Sequence, residues 1–127
     1  MHLVGDEINE FEASKVSKRS MFDKNVVFHI QSLEHMLDYT FSHLGLCNDS
    51  SIDYPLLFSE AMCNPNYSRS LVSELLFECY HIPALSYGVD SLMSFYYNSS
   101  KSNVQSGIIV SSSHQTTHIV PVIDLKW

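Results

Sequence analysis

The sequence predicts an α/β fold in which a crossover helix links a parallel strand pair and a hairpin closes the chain. Apolar residues at three- and four-residue steps after His29 predict a long amphipathic helix. Two apolar runs of strand length flank a second helical stretch, and strands joined through a helix pair in parallel. Two β-rich runs around a polar turn predict an antiparallel hairpin. So few strands cannot cover these helices, which indicates an incomplete piece of a larger fold.

An irregular region precedes the first helix. Residues 1 to 25 mix glycine, serine and charges without periodicity, so we predict an irregular extension there. Gly45 is a left-handed stop at the other end of the helix, which gives it about four turns. Its apolar stripe consists of Ile30, Leu33, Leu37, Phe41 and Leu44.

The strand-helix-strand unit follows a polar loop. Leu56 to Phe58 is a short apolar strand. The next helix is predicted to begin near Asn64 and Pro65, because Asn caps free N–H groups and Pro needs no donor there. His81-Ile82-Pro83 ends this helix, and residues 84 to 88 form the second strand. Its predicted buried face consists of Leu71, Val72, Leu75, Leu76 and Cys79.

A third, short helix is predicted over residues 90 to 97, with Asp90 as its cap. The aromatic residues Phe95, Tyr96 and Tyr97 follow the spacing of a buried helix, which favours core packing over stacking on nucleic-acid bases. The remaining predicted elements are an exposed linker over residues 98 to 106 and hairpin strands over residues 107 to 110 and 117 to 123.

The charge balance excludes a broad nucleic-acid surface. Seven Lys and Arg against fourteen Asp and Glu give a net charge of −7. Four of the seven basic residues lie between residues 15 and 24, and we interpret that run as a solvated connector.

Cysteine content and hydropathy also limit the class of protein. Cys47, Cys63 and Cys79 contain no CxxC, which argues against a disulfide framework and a zinc knuckle. We predict reduced, mostly buried thiols. The sequence has no apolar stretch long enough for a membrane span and no signal-peptide pattern, so we expect an intracellular protein with no membrane partner.

Two sets of reactive residue types have simpler interpretations. Ser112, His114 and Asp124 are the residue types of a hydrolase triad, but no G-x-S-x-G elbow or oxyanion loop accompanies them. His114 and His118 lie on a turn and its outgoing strand, without the HExxH context of a zinc site, so we predict hydrogen-bonded or solvated histidines and no metal. The charges on the second helix are interpreted as surface residues: Arg69 and Glu74.

Several short segments, taken in order, resemble the actin family. Residues 55 to 61 are similar to the actin text P-V-L-L-T-E-A, and residues 75 to 80 to I-M-F-E-T-F. The hairpin strands are similar to G-I-V-M and T-H-T-V-P, and residues 4 to 7 to V-G-D-E. Each match is short, but their common order and spacing are specific. The resemblance implies an incomplete piece of the actin and Hsp70-like ATPase fold, which is ribonuclease H-like.

The resemblance also implies a division of the chain. Residues 1 to 25 would be a remnant of the outer small lobe, residues 26 to 106 a partial actin subdomain, and residues 107 to 127 the start of the second lobe. Actins clamp ATP with two phosphate hairpins, a hinge helix and an adenosine pocket. By comparison, the first hairpin would precede Val4 and the adenosine pocket would follow Trp127, so we expect that this chain alone cannot enclose a nucleotide.

The resemblance places a degenerate nucleotide site at the polar turn, where actins have D-S-G-D-G. Both carboxylates and both glycines of that turn are replaced, and the hinge-helix Gln that positions water in actins corresponds to Asp90. His118 matches a family histidine, and Glu60 lies at a strand end in the family cleft. We therefore expect no ATP, no other cofactor, no metal and no catalysis. The aligned turn residues are Ser111, Ser112, Ser113, His114 and Gln115.

Within the family, residues 63 to 69 and 87 to 92 are similar to the nuclear actin-related proteins. That resemblance implies a non-catalytic subunit of an Ino-eighty type chromatin-remodelling complex, acting in transcription regulation, DNA repair and recombination. Its partners would be the other subunits, including the motor ATPase, and indirectly the nucleosome. The expected location is the nucleus, with the cytoplasm as the second choice. The alternative is a fragment of an ATP-binding, actin-like cytoskeletal protein, which the retained frame alone would allow.

Overall fold

The computed structural model describes residues 4–5, 20–46 and 51–127. Within these ranges the chain forms three α-helices and three two-stranded sheets. No helix of this described part is long and apolar enough to cross a membrane. The elements are β1 (Phe22–Asp23), β2 (Val26–Val27), α1 (Ile30–His43), β3 (Leu56–Glu60), α2 (Asn66–Glu74), β4 (Leu85–Val89), α3 (Asp90–Ser102), β5 (Gly107–Ser112) and β6 (Thr117–Val122).

The N-terminal extension lies mostly outside the described residues, as do three of the clustered basic residues and Cys47. The part that is described contains a small antiparallel hairpin, which the sequence analysis did not predict. β1 pairs with β2 through Phe22 opposite Val27. Lys24, in the turn between them, has a φ of 55°.

The first helix is confirmed. Its apolar stripe buries Leu33 and Phe41, which are each 4% exposed. Gly45 follows with a φ of +69°, and the Leu46 N–H donates to the Phe41 carbonyl at 2.9 Å. This bond, with the left-handed glycine, satisfies a carbonyl that the end of the helix leaves free.

The predicted parallel pairing is also confirmed. β3 and β4 run in register from Leu56 opposite Leu85 to Glu60 opposite Val89, with α2 as the crossover. Both strands therefore end at the same edge of the sheet, where Glu60 is the last residue of β3.

The predicted cap of α2 is wrong. The helix begins at Asn66, and Pro65 occupies the cap position without any side-chain cap bond. Asn64 instead donates from its amide Nδ2 to Glu60 Oε2 at 2.8 Å. The Asn64 side chain therefore contacts the end of β3 and is not used at the start of the helix.

The end of this helix differs from the prediction as well. A π-helical turn, Leu75–Cys79, continues α2. Leu75 and Leu76 are buried as predicted, but Cys79 is exposed, because the wider turn rotates it out of the helical face. Cys63, which lies in a loop and has a φ of 59°, is exposed too. The prediction of buried thiols is therefore wrong at both described cysteines.

The third helix is longer than predicted and takes up half of the expected linker. Asn98 Nδ2 donates to the Ser94 carbonyl at 2.8 Å, and Ser99 and Ser100 donate to carbonyls three residues back. These bonds give the polar side chains partners within a turn that has no apolar periodicity, although such bonds do not themselves stabilise a helix. Asn103 ends the helix with a φ of 53°.

The aromatic side chains of α3 were only partly placed correctly. Phe95 packs against a core cluster, as predicted. Tyr96 and Tyr97 are 36% and 63% exposed, so the prediction of core packing is wrong for these two residues. Both lie on the outer side of a helix whose other side packs against β4 and the C-terminal hairpin.

Two separate clusters form the core. The larger lies between α1, α2 and the parallel pair, and Leu76 is its fully buried centre. The smaller lies between α3 and the hairpin of β5 and β6. Its buried members are Met62, Leu92, Val120 and Val122.

The C-terminal hairpin is confirmed, with a first strand that extends two residues further toward the turn than predicted. The pairing extends from Gly107 opposite Val122 to Ser112 opposite Thr117. Ser111 and Ser112, predicted to lie in the turn, are therefore strand residues, and the turn comprises residues 113 to 116. Ser111 and Ser112 have His118 and Thr117 opposite them, and the Ser112 and Thr117 hydroxyls lie 3.0 Å apart, a cross-strand contact that supports the longer strand.

Candidate functional site

A cleft of about 850 Å³ lies between α1, the end of β3, the N-terminal hairpin and the C-terminal hairpin. Four of the five predicted turn residues line it, and Ser112 does not. Side chains alternate along a strand, so Ser112 lies on the opposite face of the hairpin, where its Oγ is 3.0 Å from Thr117 Oγ1. Polar residues from each of these elements line the cleft, among them Lys24, Asn25, Glu60, Asn64, Asp90, Ser111, Ser113, His114, Gln115 and His118.

The turn at the mouth of the cleft has no carboxylate and no glycine. The Ser113 N–H donates to the Thr116 carbonyl at 2.8 Å, which closes the turn and occupies an amide that a phosphate would need. None of residues 113 to 116 has a positive φ. The turn therefore closes without the left-handed backbone that would require glycine.

A hydrogen-bonded bridge crosses the cleft at this turn. Asn25, in the turn of the N-terminal hairpin, donates from Nδ2 to Thr116 Oγ1. The same hydroxyl lies 3.2 Å from His118 Nε2. Since the hydroxyl accepts from Asn25, its own proton is free for the imidazole nitrogen. The predicted hydrogen-bonded role of His118 is thus confirmed, and the bridge ties the two hairpins together.

Glu60 lies in a cage of donors at the carboxyl end of β3. Arg69 donates through Nε at 3.1 Å and through Nη2 to the other carboxylate oxygen, and Asn64 adds a third bond. The Glu60 side chain is 5% exposed. Burial raises the pKa of Glu60, but the bonds from Arg69 and Asn64 and the Arg69 charge outweigh it, so the pKa lies below its ordinary value.

Arg69 was predicted to be a surface charge, and that interpretation is incomplete. Its guanidinium is partly exposed, but it pairs with Glu60 and lies 5.2 Å from the centre of the Tyr87 ring. The Tyr87 hydroxyl lies 2.8 Å from Ser73 Oγ and donates to the Arg69 carbonyl at 3.0 Å. This network joins α2 to both parallel strands. With all its oxygens bonded, Glu60 is a structural anion and not a free general base.

Asp90 also lines the cleft, as the first residue of α3. Its Oδ1 accepts the Ser91 N–H at 2.6 Å. The carboxylate lies at the positive end of the helix dipole, where it stabilises the first turn. Asp90 thus starts the helix as expected, although it lies one position inside the helix and Val89 is the cap residue.

The hydrolase triad is excluded by the hairpin register. Ser112 pairs with Thr117 at the turn, and Asp124 follows Val122 at the opposite end. Five ladder steps separate these ends, about 17 Å at a rise of about 3.4 Å per residue. The Asp124 N–H donates to Ser106 Oγ, which fixes it at that far end.

For a metal, the described residues contain no group of three or more His, Cys, Asp or Glu side chains that would hold one. His114 and His118 both line the cleft, and the contact shown for the His118 ring is with Thr116. The absence of a metal therefore stays a prediction.

Lys24 and Asn25 were not predicted as cleft residues, and Thr116 was not predicted as the partner of Asn25. A signal was present: Asp23-Lys24-Asn25 is a short polar run with apolar residues on either side, which is typical of a tight hairpin turn. Nothing in the sequence, however, relates Asn25 to Thr116, which is 91 residues further along the chain.

The chain belongs to the actin family, because the family model described as Actin matches residues 1–125. The predicted family and the predicted incomplete actin-like α/β fold are both confirmed. Three curated relatives bear the name actin-related protein 5: the chain is 46% identical to that of Homo sapiens over 121 residues, 40% to that of Drosophila melanogaster over 124 and 36% to that of Saccharomyces cerevisiae over 121.

The extent of these matches is asymmetric. They cover 95%, 97% and 95% of this chain but 20%, 19% and 16% of the three relatives, in the same order. The chain is thus an actin-related protein that spans about a fifth of the length of the relatives it matches.

Proposed function

We propose that this chain is part of a non-catalytic actin-related subunit of a nuclear chromatin-remodelling complex of the Ino-eighty type. The observation that carries the non-catalytic part is the turn at the cleft. Phosphoryl transfer in an actin-like cleft needs carboxylates for a metal-held water and free amides for phosphate. Here Ser111 and His114 stand at the carboxylate positions, and the Ser113 amide is bonded to Thr116.

Charge in the cleft supports the same proposal. Arg69 and Asn64 occupy both oxygens of Glu60, and the Asp90 carboxylate accepts from the start of its own helix. Glu60 is thereby not free to hold a divalent cation, and one Asp90 oxygen alone does not supply the several oxygen ligands that such a hard cation requires. We therefore propose that the cleft binds no ATP, no metal and no other cofactor.

We propose that the remaining function of the actin-like fold is to assemble with other proteins. The similarity to proteins named actin-related protein 5 runs over almost the whole chain. We propose that the fold holds surfaces for the other subunits and the motor ATPase, contacts the nucleosome indirectly and acts in transcription regulation, DNA repair and recombination. The nucleus is its proposed location.

Affinity purification of the tagged protein that contains this region tests the proposal. A conventional actin with the same tag, from the same cells, is the control. We expect the tagged protein to recover a remodelling motor ATPase and its subunits, whereas conventional actin recovers filament-binding proteins. Recovery mainly with filamentous actin would favour the cytoskeletal alternative and contradict the proposal.

A further inference from the structure

We draw no further inference here: the strongest candidate, the hydrogen-bonded side-chain cluster of Asn25, Thr116 and His118 that crosses the cleft, belongs to the site already described, and nothing in the described part of the chain shows a ligand or partner that would act on it.

Discussion

Glu60 and Arg69 form an ion pair that joins the carboxyl end of β3 to the crossover helix. Arg69 Nε lies 3.1 Å from Oε2, and Nη2 donates to the other oxygen, in the two-pronged geometry that a guanidinium and a carboxylate favour. The pair holds α2 against the parallel strands, and Asn64 supports it from the loop between them. Glu60, although it lies at the edge of the cleft, therefore has a structural role.

The first prediction is that Glu60→Gln destabilises the chain. Glutamine keeps the shape but removes the charge that accepts from Arg69 and Asn64. We expect the free energy of unfolding at neutral pH to fall by about 1–3 kcal/mol. Urea denaturation measures this change. Glu74→Gln, at an exposed acid on the same helix, should change it by no more than about 0.5 kcal/mol. Equal losses in the two variants would contradict a specific role of the pair.

The second prediction concerns acid. The pKa of Glu60 in the folded chain lies below its ordinary value of 4.5. The pair therefore contributes fully to the free energy of unfolding above that pH, and this contribution is lost as the pH falls through the folded pKa. We expect the wild-type free energy of unfolding to decrease more steeply than that of Glu60→Gln below about pH 5. Parallel curves for the two proteins would show that Glu60 has the same pKa in both states.

How far the sequence predicted the fold depends on the range of the interactions involved. α1 and the parallel pair follow from local periodicity and from the chirality of crossover connections, and both were predicted. The extension of α3 beyond Tyr97 was not, because serine and asparagine bonds to the helix backbone leave no periodic trace. Cys79 was misplaced for a similar reason, since a π-helical turn changes the phase of the helix without a sequence signal.

The candidate site was predicted in composition but not in geometry. The family resemblance gave the turn residues, and four of the five line the cleft. Ser112 does not line the cleft, because the strand extends two residues further than expected and turns the Ser112 side chain to the other face. The Asn25 to Thr116 bridge joins two distant turns, and only the folded chain brings them together.

The third prediction is that Tyr80→Phe loosens α1 from the end of α2. The Tyr80 hydroxyl donates to Asp38 Oδ1 at 2.7 Å, and its ring packs on Phe41 at a centroid distance of 5.1 Å. Phenylalanine keeps the ring contact, so we expect a loss of only about 1 kcal/mol in the free energy of unfolding. Tyr67→Phe is the matched control, at a tyrosine that is 75% exposed.

Tyr80 also gives a spectroscopic check. Burial raises its pKa, and the hydrogen bond and charge of Asp38 raise it further. Because the folded pKa is higher than the unfolded one, the neutral phenol stabilises the chain below about pH 10, and this contribution is lost at higher pH. Ultraviolet titration should show that Tyr80→Phe removes a tyrosine that ionises after the others. If the tyrosine that disappears from the titration of the variant ionises at about pH 10 like an exposed tyrosine, the burial of the Tyr80 hydroxyl would be contradicted.

The fourth prediction is that Cys63 and Cys79 react rapidly in the folded chain, because both thiols are exposed. Brief treatment with a maleimide, followed by mass spectrometry of peptides, should find both residues modified under native conditions. Labelling after denaturation gives the full extent for comparison. Protection of Cys79 in the native chain would show that it lies on the buried face of α2, as the helical spacing alone predicts.

The last prediction is that the chain neither binds nor hydrolyses ATP. Calorimetric titration with Mg-ATP should give no binding heat, while a conventional actin in the same buffer does. The physical reason is in the turn: it has no carboxylate and no glycine, its Ser113 amide bonds to the Thr116 carbonyl, and Asn25 and His118 engage the Thr116 hydroxyl.

A double variant sharpens this test. Ser111→Asp with His114→Asp restores the two carboxylates of the actin turn, but the turn still lacks glycine at residues 113 and 115, and its amide stays bonded within the hairpin. We therefore expect no rescue of binding, since metal ligands without a phosphate cradle supply only part of what phosphoryl binding requires. A dissociation constant in the micromolar range, about −8 kcal/mol, in either protein would contradict the prediction and make the cleft a working nucleotide site.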